Sequence, residues 1–180
     1  FPFVILIPLL PTIIILNNLD NSTPDYDFSY LIVTPSLALS YIIVFTLVTV
    51  LLTRLMQWGI KPGKYPVYCL FYVRKWFADQ LMSLSLIVLH PIYATVYISL
   101  LFRALGAKVG RNTEISTASS VTHPLLVIGK GAFVADAVTL GESDVRGQQL
   151  ILDKTVIGNN SFVGNSALIP QGYNLPGRML

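Results

Sequence analysis

Cysteine, histidine and charge are what this chain has least of. A single cysteine, Cys69, in 180 residues excludes an internal disulfide and any cysteine-ligated metal cluster. The two histidines, His90 and His123, lie far apart in sequence, so no metal site is expected. Charged residues make up 12% of the chain, about half of the ~25% that an ordinary soluble domain carries. The net charge of +3 is small, and it gathers beside apolar segments, which argues against a nucleic-acid partner. Apolar residues fill the gap, at 53% of the chain.

The apolar excess lies in the first part of the chain. Residues 1–19, 31–53 and 80–102 carry no charge, and each approaches the roughly 20 residues that cross a bilayer. The chain starts at Phe1 with no basic flank, so it reads as a piece of something longer rather than as a signal peptide. The loop "DNSTPDYDFSY" holds Asp20, Asp25 and Asp27 and no basic residue, whereas Arg54, Lys61, Lys64, Arg74 and Lys75 precede the next acid, Asp79. The positive-inside rule places the first loop outside and the second stretch in the cytoplasm. Asn21-Ser22-Thr23 is also a glycosylation sequon in the outside loop.

Residues 80–102 conflict with a simple crossing, because Arg103, Lys108 and Arg111 would then lie outside. The centre, "LHPIY", contains Pro91, which breaks a helical ladder, and His90, which is costly in hydrocarbon. A re-entrant or interfacial hairpin with both ends cytoplasmic satisfies these constraints; a Pro-kinked spanning helix is the alternative. Tyr65, Tyr68, Tyr72 and Trp76 beside Arg74 and Lys75 suit a membrane interface.

Beyond residue 105 the pattern changes. Val109, Ile115 and Val121 stand six apart, as do Ile128, Val134 and Leu140, and then Ile151, Ile157, Val163 and Ile169. Small residues usually follow: Gly110, Ser116, Gly129, Ala135, Gly158, Gly164. A hexad period of this kind predicts a left-handed parallel β-helix, each hexad giving one short strand and one turn. The period breaks twice, at His123-Pro124 and at "GESDVRGQQL", where an insertion makes either a plain surface loop or part of a binding face. The expected fold is therefore membrane α-helical segments followed by a left-handed parallel β-helix. The expected domains are 1–53, two transmembrane helices with a short outside loop; 54–105, a basic cytoplasmic segment and hairpin; and 106–180, a truncated hexapeptide-repeat β-helix on the cytoplasmic side.

The stretches "WGIKPGKYPVYCLFYVRKWF", "LLFRALGAKVGRNTEIST" and "LLVIGKGAFVADAVTLG…LILDKTVIGNNSFVGNSALIPQG" resemble the membrane C-terminal region of nonribosomal-peptide-synthetase-like proteins of the epsilon-poly-lysine synthetase type. That resemblance covers essentially the whole chain and implies one unit of two transmembrane helices followed by a hexapeptide-repeat domain. It implies a membrane-bound acyl or aminoacyl transferase module that passes a carrier-bound thioester to an amine. The implied partners are the lipid bilayer, adenylation and carrier domains of the same full chain, and a β-helix trimer or neighbouring repeat units. The implied cofactor is a phosphopantetheine thioester held elsewhere in that chain, with CoA as the alternative; none is expected in these residues. The His-His-x-x-x-Asp-Gly motif of ordinary condensation domains is absent.

Acyl transfer from a thioester to an amine needs a base and donors for the oxyanion. His123, the one histidine in the hexad region, is the candidate base, or else a corner residue bonded to local backbone. Asp144 and Arg146, in the insertion, are candidates to orient that base or to hold a phosphate or carboxylate; a solvated charged loop is the alternative. His90 is a candidate proton relay or a histidine satisfied by a neighbouring helix. Asn159, Asn160 and Asn165 fit turns that need positive φ, and Asn159-Asn160-Ser161 is a sequon that a cytoplasmic location leaves unmodified. Two further functions stay open: a non-catalytic scaffold that docks a carrier domain, and a membrane-anchored CoA-dependent acetyltransferase.

Overall fold

The structure, a computed structural model, describes residues 2–20, 26–90, 92, 93 and 95–179, with no side-chain description for 2, 3, 19, 20 and 26–32. The Asn21 sequon, Asp25 and Pro91 lie outside the described residues, as do the side chains of Asp20 and Asp27. The chain forms two units, Phe1–Leu51 and Leu52–Leu180.

The first unit holds α1 (Pro2–Leu6), α2 (Leu9–Asp20) and most of α3 (Tyr26–Met56). With 12 residues, α2 rises only about 18 Å, well short of the roughly 30 Å hydrocarbon core. Residues 33–56 of α3 form a 24-residue stretch of mean hydropathy 2.2, which is long and apolar enough to cross a membrane. Among the described residues no other helix meets that test. Leu39, Ile43, Leu47, Leu51 and Leu55 recur every fourth residue and are exposed, so one whole face of α3 is an uninterrupted apolar stripe.

In the second unit, β1 (Gly63–Pro66) leads into α4 (Leu70–Val88), and α5 (Ile98–Leu105) follows. The end of α5 is set by Gly106, whose φ of 108° lets the chain reverse and whose N–H donates to Arg103 and Phe102 carbonyls. Short strands follow: β2 (Lys108–Val109), β3 (Glu114–Ile115), β4 (Ala118–Ser119), β5 (Leu126–Ile128), β6 (Phe133–Val134) and β7 (Val138–Glu142). After them come β8 (Asp144–Arg146), β9 (Gln149–Leu152), β10 (Thr155–Ile157), β11 (Phe162–Val163), β12 (Leu168–Pro170) and β13 (Asn174–Leu175).

These strands lie in four separate sheets. Three are parallel, ordered β13-β10-β5-β2, β11-β6-β3 and β12-β7-β4. The fourth, β1-β9-β8, is antiparallel. The expectation of membrane α-helical segments followed by a left-handed parallel β-helix is overturned by this arrangement. The strands are grouped in separate parallel and antiparallel sheets, and a single helix among those described is a span candidate. The physical reason is that a six-residue period fixes which residues point inward. It leaves open how strands are grouped, the hand of the chain, and what an insertion pairs with. The hexad spacing therefore does not establish a hexapeptide-repeat domain.

The inward assignments explain the core. Ile115, Val134 and Val163 pair in register, and so do Val109, Ile128 and Ile157. All but Val109 are buried. The insertion at 141–150 enters the β8-β9 hairpin, with Gly147 and Gln148 at φ 54° and 61° in its turn. β1 adds to the hairpin's other edge with Tyr65 opposite Leu150. Ile60, Leu125, Leu150 and Leu152 make a cluster beneath this sheet, flanked by Tyr65, Phe71 and Tyr72.

Candidate functional site

The site grows from the turn between β4 and β5. Pro124, with its fixed φ, suits the first turn of the 3-10 helix His123–Leu125, which closes as the Leu125 N–H donates to the Thr122 carbonyl at 2.9 Å. This turn carries His123 inward until its side chain is fully buried. Phe102 of α5 meets the imidazole edge-on, with centroids 5.1 Å apart and an interplanar angle of 74°. Both ring nitrogens are buried without a hydrogen-bond partner. Burial pushes the imidazole down from 6.5 to about 3, and the Lys75 ammonium adds to the effect. His123 is therefore neutral at physiological pH.

Lys75 lies on α4 and is itself buried. Its Nζ donates to Asp79 Oδ1, one turn further along, at 2.5 Å. Burial raises the Asp79 carboxyl above the usual range; Lys75 opposes that shift and Glu142 adds to it. The face of α4 that carries Asp79, Met82 and Leu86 forms one wall of a cavity of about 380 Å³. Val121, His123, Glu142 and Ser143 contribute the opposite side.

A second, more open depression of about 560 Å³ adjoins it, and Glu142 and Ser143 line both. Asp144 and Arg146 line this outer space and are brought together there, Arg146 Nε donating to Asp144 Oδ2 at 2.6 Å. They do not line the cavity that holds His123. Arg146 is 79% exposed, so this pair is a solvated one. His90 is exposed and lines neither space. Among the described residues no group of three or more His, Cys, Asp or Glu could hold a metal ion.

Sequence reasoning singled out His123 but missed Lys75, Asp79 and Glu142. The available signal was the Lys75–Asp79 spacing of four on a helix whose other face is apolar, a pair that usually lies in solvent.

No protein-family model matches the chain, and no solved structure matches it. Over 121 residues, 67% of the chain, it is 50% identical to Delta-poly-L-ornithine synthetase of Acinetobacter baumannii (strain AB307-0294). The chain spans 9% of that protein's length. The relative is thus named for a poly-amino-acid synthetase, which agrees with the resemblance at that coarse level.

Proposed function

We propose that this chain is a membrane-anchored aminoacyl-transfer module of a poly-amino-acid synthetase, and that the cavity around His123 is where an amine meets a carrier-bound thioester. The observation that carries this reading is a fully buried histidine lining a cavity with both ring nitrogens unpartnered. The name of the relative, a poly-L-ornithine synthetase, supports an amino acid of the ornithine type as the substrate class.

The attacking amine forms a C–N bond to the thioester carbon, and its nitrogen becomes cationic. Neutral His123 is able to accept that proton. The oxyanion developing beside the ring favours the imidazolium, which raises the ring's basicity at the moment it is needed. As the C–S bond breaks, the proton passes to the leaving thiolate, so charge and atoms balance. The thioester arm comes from a phosphopantetheine carrier elsewhere in the native protein. Residues 33–56 of α3 would hold the module in the bilayer.

Intact-mass and peptide spectrometry on the native protein tests this reading. The expected result is a phosphopantetheine-bearing serine outside these residues, loaded with an amino acid that is released as amide when the free amino acid is added. A native protein without such an arm, whose transfer depends on CoA, would replace this reading with a membrane-anchored acetyltransferase. No transfer from either source would leave a scaffold.

A further inference from the structure

The outer faces of α4 and α5 have the reverse of the polarity that water selects. α4 buries Lys75 and Ser85 and turns Leu70, Val73 and Ile87 outward. Its exposed residues include none that is charged. α5 buries Ile98, Leu101, Phe102 and Leu105, yet Leu100 on its other side is exposed, as are Val96 and Tyr97 just before it. A helix that is apolar all round meets protein on one side and a second apolar medium on the other.

Both helices are pinned to the last turn of α3, residues 52–56, which belongs to the same unit. Arg74 of α4 donates to the Leu55 and Trp58 carbonyls at 3.0 and 2.9 Å. Arg54 donates through Nε to the Ala104 carbonyl of α5 at 2.6 Å. That turn ends the 24-residue stretch long and apolar enough to cross a membrane. Where the stretch leaves the hydrocarbon, α4 and α5 are therefore held beside it. Trp58, 76% exposed, follows the turn, and Tyr68, 83% exposed, precedes α4; such rings favour the headgroup level. Between them Lys61 and Lys64 are exposed and make no ion pair among the described residues. Asp79, the one acid in residues 54–113, is taken up by Lys75.

We propose that Trp58, Tyr68, Leu70, Val73 and Leu100 form a collar that seats the second unit in the headgroup layer of an anionic bilayer, with Lys61 and Lys64 on lipid phosphates. The apolar side chains supply the insertion and the lysines the attraction to a negative surface. Continuity with the end of α3 and the lack of a free acid beside the collar favour lipid over a protein cover. The inference rests on the anchoring by α3 in the proposed function and is independent of the transfer chemistry. The second unit then lies on the membrane rather than hanging below it.

Photocrosslinking of the native protein in nanodiscs of mixed phosphatidylglycerol and phosphatidylcholine tests the collar. The photoprobe p-benzoylphenylalanine is placed singly at Val73, at Leu100, at Leu47 on α3 and at Tyr173 among the strands. All four positions are exposed, so the variants are expected to fold, as circular dichroism would show. Peptide mass spectrometry is expected to find lipid adducts at Val73, Leu100 and Leu47 and none at Tyr173. At Val73 phosphatidylglycerol is expected to exceed its share of the bilayer, and Lys61→Gln with Lys64→Gln to abolish that excess. Protein adducts in place of lipid at Val73 and Leu100 would overturn the collar in favour of a protein partner. An unchanged phosphatidylglycerol share without the lysines would overturn the headgroup contact. Lipid adducts at Leu47 alone would reject the collar while the anchor stands, and their absence at Leu47 as well would reject the anchor too.

Discussion

At His123, burial sets the protonation state, and the sign of its effect on stability follows. The folded imidazole titrates at about 3, below its ordinary 6.5, so in that interval the unfolded chain binds more protons. The histidine's contribution is complete above pH 6.5 and is lost as pH falls toward 3, at up to about 1.4 kcal/mol per unit. Denaturant unfolding between pH 7 and 4 is expected to show a shallower acid loss in His123→Leu than in wild type. Equal slopes would mean that the ring is hydrated. A second residue-scale contrast concerns packing between layers. A Cβ at Gly129 would sit 2.6 Å from the Asn159 backbone nitrogen, whereas one at Gly164 finds its nearest neighbour, Phe162, at 3.6 Å. Gly129→Ala is therefore expected to cost ~1–3 kcal/mol, and Gly164→Ala to change thermal stability little. The asparagines show what sequence chemistry reached and what it did not. Asn160 does occupy positive φ, at 53°. Asn159 and Asn165 instead accept the backbone N–H of Lys130 and Asp136 through their Oδ1 atoms, a bond to another layer that local propensity cannot foresee.

Among the elements, the hexads made the inward residues legible: Ile128, Val134, Leu140, Ile157 and Val163 are all buried. Their spacing did not reveal the sheet grouping, because pairing is decided by neighbours far away in sequence. β1 is the plainest case. Residues 63–66 read as a basic connecting segment, yet they pair with β9 because Leu150, Leu152 and Ile60 require a shared apolar cover. Leu150→Ala is expected to cost about 2–5 kcal/mol. Hydrogen exchange should then show β1, β8 and β9 losing protection together; loss confined to the hairpin would mean that β1 is held by other contacts. The α4 wall was illegible for a related reason. Lys75 and Asp79 have the spacing of a solvated pair, and only tertiary packing buries the lysine.

For the whole molecule, the sequence supplied the apolar stretch that becomes residues 33–56 of α3, while the 12-residue α2 is too short to match it. The basic residues after α3 lead us to propose that residues 54–75 face the cytoplasm. Cys69, partly exposed at the start of α4, offers a direct probe: peptide mass spectrometry should find it protected from an impermeant maleimide in intact cells and modified after lysis. Labelling in intact cells would reverse the orientation. The central claim is that His123 takes the proton during aminoacyl transfer, and the most direct measurement is the single-turnover rate of amide formation by the native protein and its His123→Ala variant, each preloaded with the thioester. The account predicts unchanged loading and a rate reduced about 10²–10⁴-fold in the variant. Unchanged loading with an unchanged rate would contradict it.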